Sequence, residues 1–101
     1  MEKEDGRIIH IIMKLILERL LNMDKWGGAH SELNRVRKSL PSHLFGKKSK
    51  KLIEKSFKNL VNLGFLFVKP STGELHISLN PRMKKEILEF IEKYEKEEYK
   101  I

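Results

Sequence analysis

Cysteine is absent from this 101-residue chain, glutamine is absent with it, and proline occurs only three times. Without thiols neither a disulfide framework nor a thiolate metal site can form, which points to a reducing, cytoplasmic setting and away from secretion. Few prolines together with 40% hydrophobic residues argue against a disordered chain, and the length suits one domain around one core. A long uninterrupted apolar run is also missing. The longest apolar stretch, Ile8 to Met23, is broken by His10, Lys14, Glu18, Arg19 and Asn22, too polar for a membrane span or a signal peptide.

The spacings that carry catalysis are absent as well. There is no nucleophile elbow, no phosphate-cradling glycine loop, no HExxH and no inward-facing carboxylate pair, so neither an enzyme nor a cofactor is expected. The four histidines, His10, His30, His43 and His76, show no i, i+4 spacing and read as structural or surface groups, with no metal centre and no small-molecule ligand expected. The single tryptophan, Trp26, reads as packing over the core beside a helix end.

What is present is charge, unevenly placed. Lysine and glutamate supply most of it, a bias of the kind seen in heat-adapted organisms. Residues 1–29 carry five basic and five acidic side chains, and residues 81–101 carry six of each. Residues 30–69 hold ten basic residues against Glu32 and Glu54, a surplus of eight that Glu74 reduces to the formal net charge of +7. A neutral frame around one basic segment is the footprint of a phosphate-binding face.

The periodicities predict five elements. A first helix spans residues 7–23 with Asp5 as its cap, apolar over more than half of its wheel except for a stripe of His10, Lys14 and Glu18. A second, at 32–40, is capped by Ser31 and stopped by Pro41. After a connector, a third spans 47–63, closed by Gly64, with Leu52, Ile53, Phe57, Leu60, Val61 and Leu63 facing inward. A hairpin follows at 65–79, its turn formed by Pro70 to Glu74 with Gly73 at positive φ. Asn80 and Pro81 then open a last helix over 81–98. The fold class is mainly α with a small β-hairpin, four helices and a hairpin in one domain over 1–101.

The order of these elements, with Leu60-x-x-Leu63-Gly64-Phe65-Leu66 leading into a hairpin and Ile77-Ser78-Leu79-Asn80-Pro81 into a helix, resembles the winged helix-turn-helix of bacterial and archaeal transcription regulators, broadly the MarR and PadR type. The resemblance covers nearly the whole chain. It implies a recognition helix at 47–63, a wing at 65–79 and a DNA-binding regulator that pairs as a homodimer. The wing turn departs from the pattern by offering Lys69 and Glu74 but no arginine.

With Ile53 at the centre of the buried face, Lys47, Lys51, Lys55, Lys58 and Asn62 fall on the opposite side of the third helix, flanked by Lys48. Arg35 and Lys38 extend the basic surface on the second helix, with Arg37 at its border, and Lys69 extends it on the hairpin. An ordinary solvated lysine face would alternate with glutamate at i, i+4, as the last helix does. The third helix has only Glu54. Double-stranded DNA is the expected partner, bound mainly through phosphates because lysine dominates over the base-reading side chains. The competing readings are a winged-helix module for an acidic protein partner and an RNA-binding protein. The apolar surplus of the first helix and the stripe on the last predict a homodimer through Ile8, Ile12, Leu15, Met83, Ile87, Ile91 and Tyr94.

Overall fold

The computed structural model describes residues 3–95. In chain order it forms α1 (Lys3–Asn22), β1 (Ser31–Glu32), α2 (Leu33–Ser39), α3 (Ser49–Asn62), β2 (Leu66–Ser71), β3 (Glu74–Leu79) and α4 (Lys84–Tyr94). Short 3-10 turns at Ser42–Leu44 and Pro81–Met83 precede α3 and α4. The architecture is mainly helical with a small antiparallel sheet of order β1-β3-β2, which agrees with the expected helices and hairpin and adds a strand. Residues 96–98 of the expected last helix lie outside the described residues, and no described helix is long and apolar enough to cross a membrane.

A helix apolar around most of its circumference must be enclosed, and α1 is. Ile9, Ile11, Ile12, Met13, Leu15, Ile16, Leu17 and Leu20 are each at most 5% exposed. They share one cluster with Val36 of α2, Leu52, Ile53, Phe57 and Leu60 of α3, Ile77 and Leu79 of β3, and Ile87 of α4. The surplus apolar surface expected on α1 is therefore used within the chain. Ile12, Leu15 and Ile87, expected at a subunit interface, are core residues, because α3, α4 and β3 all pack on α1. Ile8, Met83, Ile91 and Tyr94 stay partly exposed. Lys14, expected on a polar stripe, is also buried, with its Nζ 3.0 Å from Glu18 Oε1.

The helix boundaries differ from expectation for local reasons. α1 starts at Lys3, so Asp5 and Glu4 lie in its first turn, where their charges complement the positive end of the helix dipole. Ser31 does not cap α2, because its backbone is used in β1, opposite Ile77 of β3. The other end of α2 is closed by Arg19 of α1, which donates to Ser39 Oγ and to the Ser39 carbonyl, both at 3.3 Å. Val61 and Leu63, expected inward, are 39% and 49% exposed, the buried side of this last turn being carried by Leu60 at 0%.

The hairpin turn is tighter than expected. Pro70 lies inside β2 opposite Leu75, leaving Thr72 and Gly73 as the two turn residues at φ +47° and +81°. Proline has no N–H to donate, and β2 is the outer strand of the sheet, where the loss is tolerated. Two successive positive φ values give the hairpin turn whose twist matches its strands. Gly64 ends α3 at φ +80°, as expected. Asn80 then locks the junction: its Nδ2 donates to the Gly64 carbonyl at 2.9 Å, its backbone N–H to the Phe65 carbonyl at 2.9 Å, and its Oδ1 accepts from Arg82 N–H at 3.0 Å. Trp26 packs against the core and bridges Leu79.

Two outcomes test this packing. Ile12→Ala is expected to lower unfolding free energy by about 2–5 kcal/mol in urea titrations, with Ile91→Ala costing less than half of that. Equal losses would mean that α1 is not the enclosed element. A second measurement concerns His10, which stacks on Tyr94 at 4.7 Å and meets Phe90 edge-on at 6.2 Å. Burial, and next the Lys93 charge, hold its pKa below the ordinary 6.5. Below that value the unfolded chain takes up a proton that folded His10 refuses, so stability should fall with pH through the window beneath 6.5. Denaturation at about pH 7.5 and about pH 5.5 should show a smaller decline in His10→Phe than in the parent.

Candidate nucleic-acid interface

α3 is fixed on α1 before any charge is considered. Ser56 is fully buried, and its Oγ donates to the Leu52 carbonyl at 2.7 Å while standing 3.3 Å from the Ile9 carbonyl of α1. Asn59 turns the same way, its Nδ2 4.0 Å from Met13 Sδ, so it faces α1. With Leu52, Ile53, Phe57 and Leu60 also buried, the remaining face of α3 is left to solvent.

That face carries the expected stripe. Lys51, Lys55 and Lys58 are exposed and line one open concavity with Lys48, Leu52, Glu54 and Asp5. None of these three lysines forms an ion pair among the described residues. Lys47 is exposed just ahead of the helix, and Asn62 is exposed at its last position. Lys48 is also exposed, but its Nζ lies 3.3 Å from Asp5 Oδ2, tying the start of α3 to α1. Lys50 is exposed in the first turn. The helical wheel sets it beside the buried face, although the lysine run from 47 to 51 was the available signal.

The basic residues of α2 divide by role. Arg35 and Lys38 are exposed and line a shallow groove with Glu32 and Asn34. Arg37 is committed elsewhere. Its Nη2 reaches both carboxylate oxygens of Glu54, at 2.6 and 2.9 Å, its Nη1 donates to Asn34, and its guanidinium sits 5.9 Å from the Phe57 ring centre. Held through Nη1 on its own helix and Nη2 on Glu54, the guanidinium braces α2 against α3. The same bond engages the one carboxylate on α3, so Lys51, Lys55 and Lys58 have no ion-pair partner among the described residues.

The hairpin is less basic and more apolar. Lys69 is exposed opposite His76, and Phe67, Val68 and Leu75 are 42–47% exposed around it. The lysines of α3 thus share one concavity, Arg35 and Lys38 line a separate groove, and Lys69 stands apart on the hairpin. No protein-family model, no curated protein and no solved structure matches the chain.

The division between brace and free charge is testable without a ligand. Arg37→Met is expected to lower stability in urea titrations by about 0.5–1 kcal/mol, while Lys55→Met leaves it unchanged or raises it slightly. A double-mutant cycle with Glu54→Gln should assign the loss to the pair. If Lys55→Met proves the costlier change, the lysine stripe is a structural face.

Proposed function

We propose that this chain is a winged-helix nucleic-acid-binding protein that holds double-stranded DNA through the lysine face of α3. The order of helices, the hairpin after α3 and the third strand paired with β3 support the winged-helix reading. The observation that carries the functional reading is electrostatic: Lys51, Lys55 and Lys58 line one face without carboxylate partners among the described residues, while Arg37 occupies Glu54. Ammonium groups at i, i+4 and i+7 meet a row of phosphates by displacing condensed counterions. Lysine is a point charge, without the fork that reads guanine, so the proposed contact positions DNA more than it selects sequence. Arg35 and Lys38 extend the phosphate contact, and Lys69 adds a weaker one from the hairpin.

A homodimer, in this reading, draws on Ile8, Met83, Ile91 and Tyr94, since Ile12, Leu15 and Ile87 belong to the core. The exposed Phe67, Val68 and Leu75 favour as a second reading a module that docks on another protein through apolar contact, for which affinity would respond little to salt, unlike binding through the lysine face.

The test is a salt series. Duplex DNA binding should weaken steeply with salt, and replacing Lys51, Lys55 and Lys58 together with alanine should flatten the slope by about 0.9 for each phosphate no longer neutralised. Duplex RNA and single strands as competitors identify the preferred nucleic acid. A triple variant that binds duplex DNA as the parent does across the series would sink the proposal.

A further inference from the structure

Two histidines 46 positions apart in sequence are brought nitrogen to nitrogen by the sheet. His30 stands just before β1 and His76 lies in β3, and their Nδ1 atoms are 2.8 Å apart in a partly buried contact. The rings meet edge to face, at 79° with centres 4.7 Å apart. One Nδ1 must donate a proton and the other accept it, because two lone pairs or two N–H groups at this distance repel. On the far side of His76, Nε2 is 3.5 Å from Glu74 Oε2. A carboxylate there favours a proton on Nε2 and leaves the His76 Nδ1 lone pair directed toward His30, the arrangement by which carboxylates orient metal-binding imidazoles.

From this geometry we infer that His30 and His76 form a two-nitrogen chelate for a divalent transition-metal ion. Imidazole nitrogens bind such ions at about 2.0–2.1 Å, and a 2.8 Å bite at that length subtends about 84–89° at the metal. That is close to the right angle between neighbouring positions of a tetragonal or octahedral site, and too narrow for a tetrahedral one. Copper(II) and nickel(II) therefore fit better than zinc. Binding requires the bridging proton to leave Nδ1 and both rings to pivot about their Nδ1 atoms, at that separation, until their lone pairs converge on the ion.

Among the described residues no third histidine, aspartate or glutamate completes the set, so water fills the remaining positions and the ion exchanges readily. Lys25 and Arg35 line the same groove, and Lys69 and Glu32 flank His76 on the neighbouring strands. Without an oxygen cage, magnesium and calcium find no site. A bound ion would clamp the approach to β1, a strand of only two residues, onto the middle of β3. This inference stands apart from the nucleic-acid reading.

The experiment titrates the full chain with copper(II) and records electron paramagnetic resonance. One ion per chain with two equatorial imidazole nitrogens is expected, together with a rise in melting temperature that magnesium does not produce. His30→Ala or His76→Ala should abolish both, His10→Ala and His43→Ala should leave both unchanged, and Glu74→Gln should weaken binding about 10–100-fold. His30→Ala lies outside the helices, and the parent spectrum decides the matter even if His76→Ala fails to fold. One imidazole nitrogen or none in the parent, or copper binding that survives in His30→Ala, would overturn the assignment.

Discussion

Enclosure of α1 is the constraint from which the rest of the molecule follows. Fully burying an aliphatic side chain stabilises the fold by roughly 1.5–3 kcal/mol, and α1 places eight such side chains in the core, from Ile9 to Leu20. That gain is available only if partners cover the helix on several sides, which α3, α4 and β3 do directly. Each partner consequently turns its apolar side to α1 and its polar side to solvent. The lysine face of α3 points outward for this reason, fixed in rotation by Leu52, Ser56 and Leu60. The burial of Lys14 beside Glu18 belongs to the same account, since its aliphatic stem can pack while its ammonium keeps a carboxylate.

The sheet adds a second level of control through one short junction. Gly64 ends α3 in a left-handed conformation, and Asn80, sixteen residues later, bonds to the Gly64 and Phe65 carbonyls and to the start of the turn that leads into α4. The segment after α1 joins the same place, with Leu79 N–H donating to the Lys25 carbonyl and Gly27 N–H to the Leu79 carbonyl. The exits of α1 and α3, the end of β3 and the approach to α4 are thus tied within a few residues. A hairpin anchored so firmly at its base projects its exposed apolar residues, Phe67, Val68 and Leu75, without needing them for its own stability.

Local signals in the sequence were dependable where one residue type carries the physics. Gly64 and Gly73 take the positive φ expected of them, and Asn80 bonds ahead of Pro81 as a cap should. The stripe of Lys51, Lys55 and Lys58 is exposed as the helical wheel required. What was illegible depends on contacts distant in sequence. β1 is too short to show a period, and its pairing with β3 redirects Ser31 from capping to the ladder. Whether apolar surface on α1 meets a second subunit or α4 of the same chain is a question of chain path, to which periodicity is blind. The helical wheel sets Arg37 at the border of the basic face, but only the fold brings Glu54 within its reach. The contact between His30 and His76 exists only once β3 is paired.

Lysines at 51, 55 and 58 of α3, with no glutamate free to offset them, carry an energetic cost. Like charges at i, i+4 on a helix are unfavourable by about 0.2–0.5 kcal/mol per pair. The last helix shows that this chain has the ordinary remedy at hand, since Lys84, Lys85 and Lys93 there alternate with Glu86, Glu89 and Glu92. On α3 the one carboxylate, Glu54, lines the same concavity but is paired with Arg37 of α2 and with none of the three lysines. The cost is small beside the burial of α1, so the fold tolerates it. Salt screens it in part, and in the proposed reading a ligand carrying negative charge along the helix, at a spacing that successive turns can meet, would relieve it. A polyanion does this for every lysine at once, whereas a single carboxylate partner would relieve one.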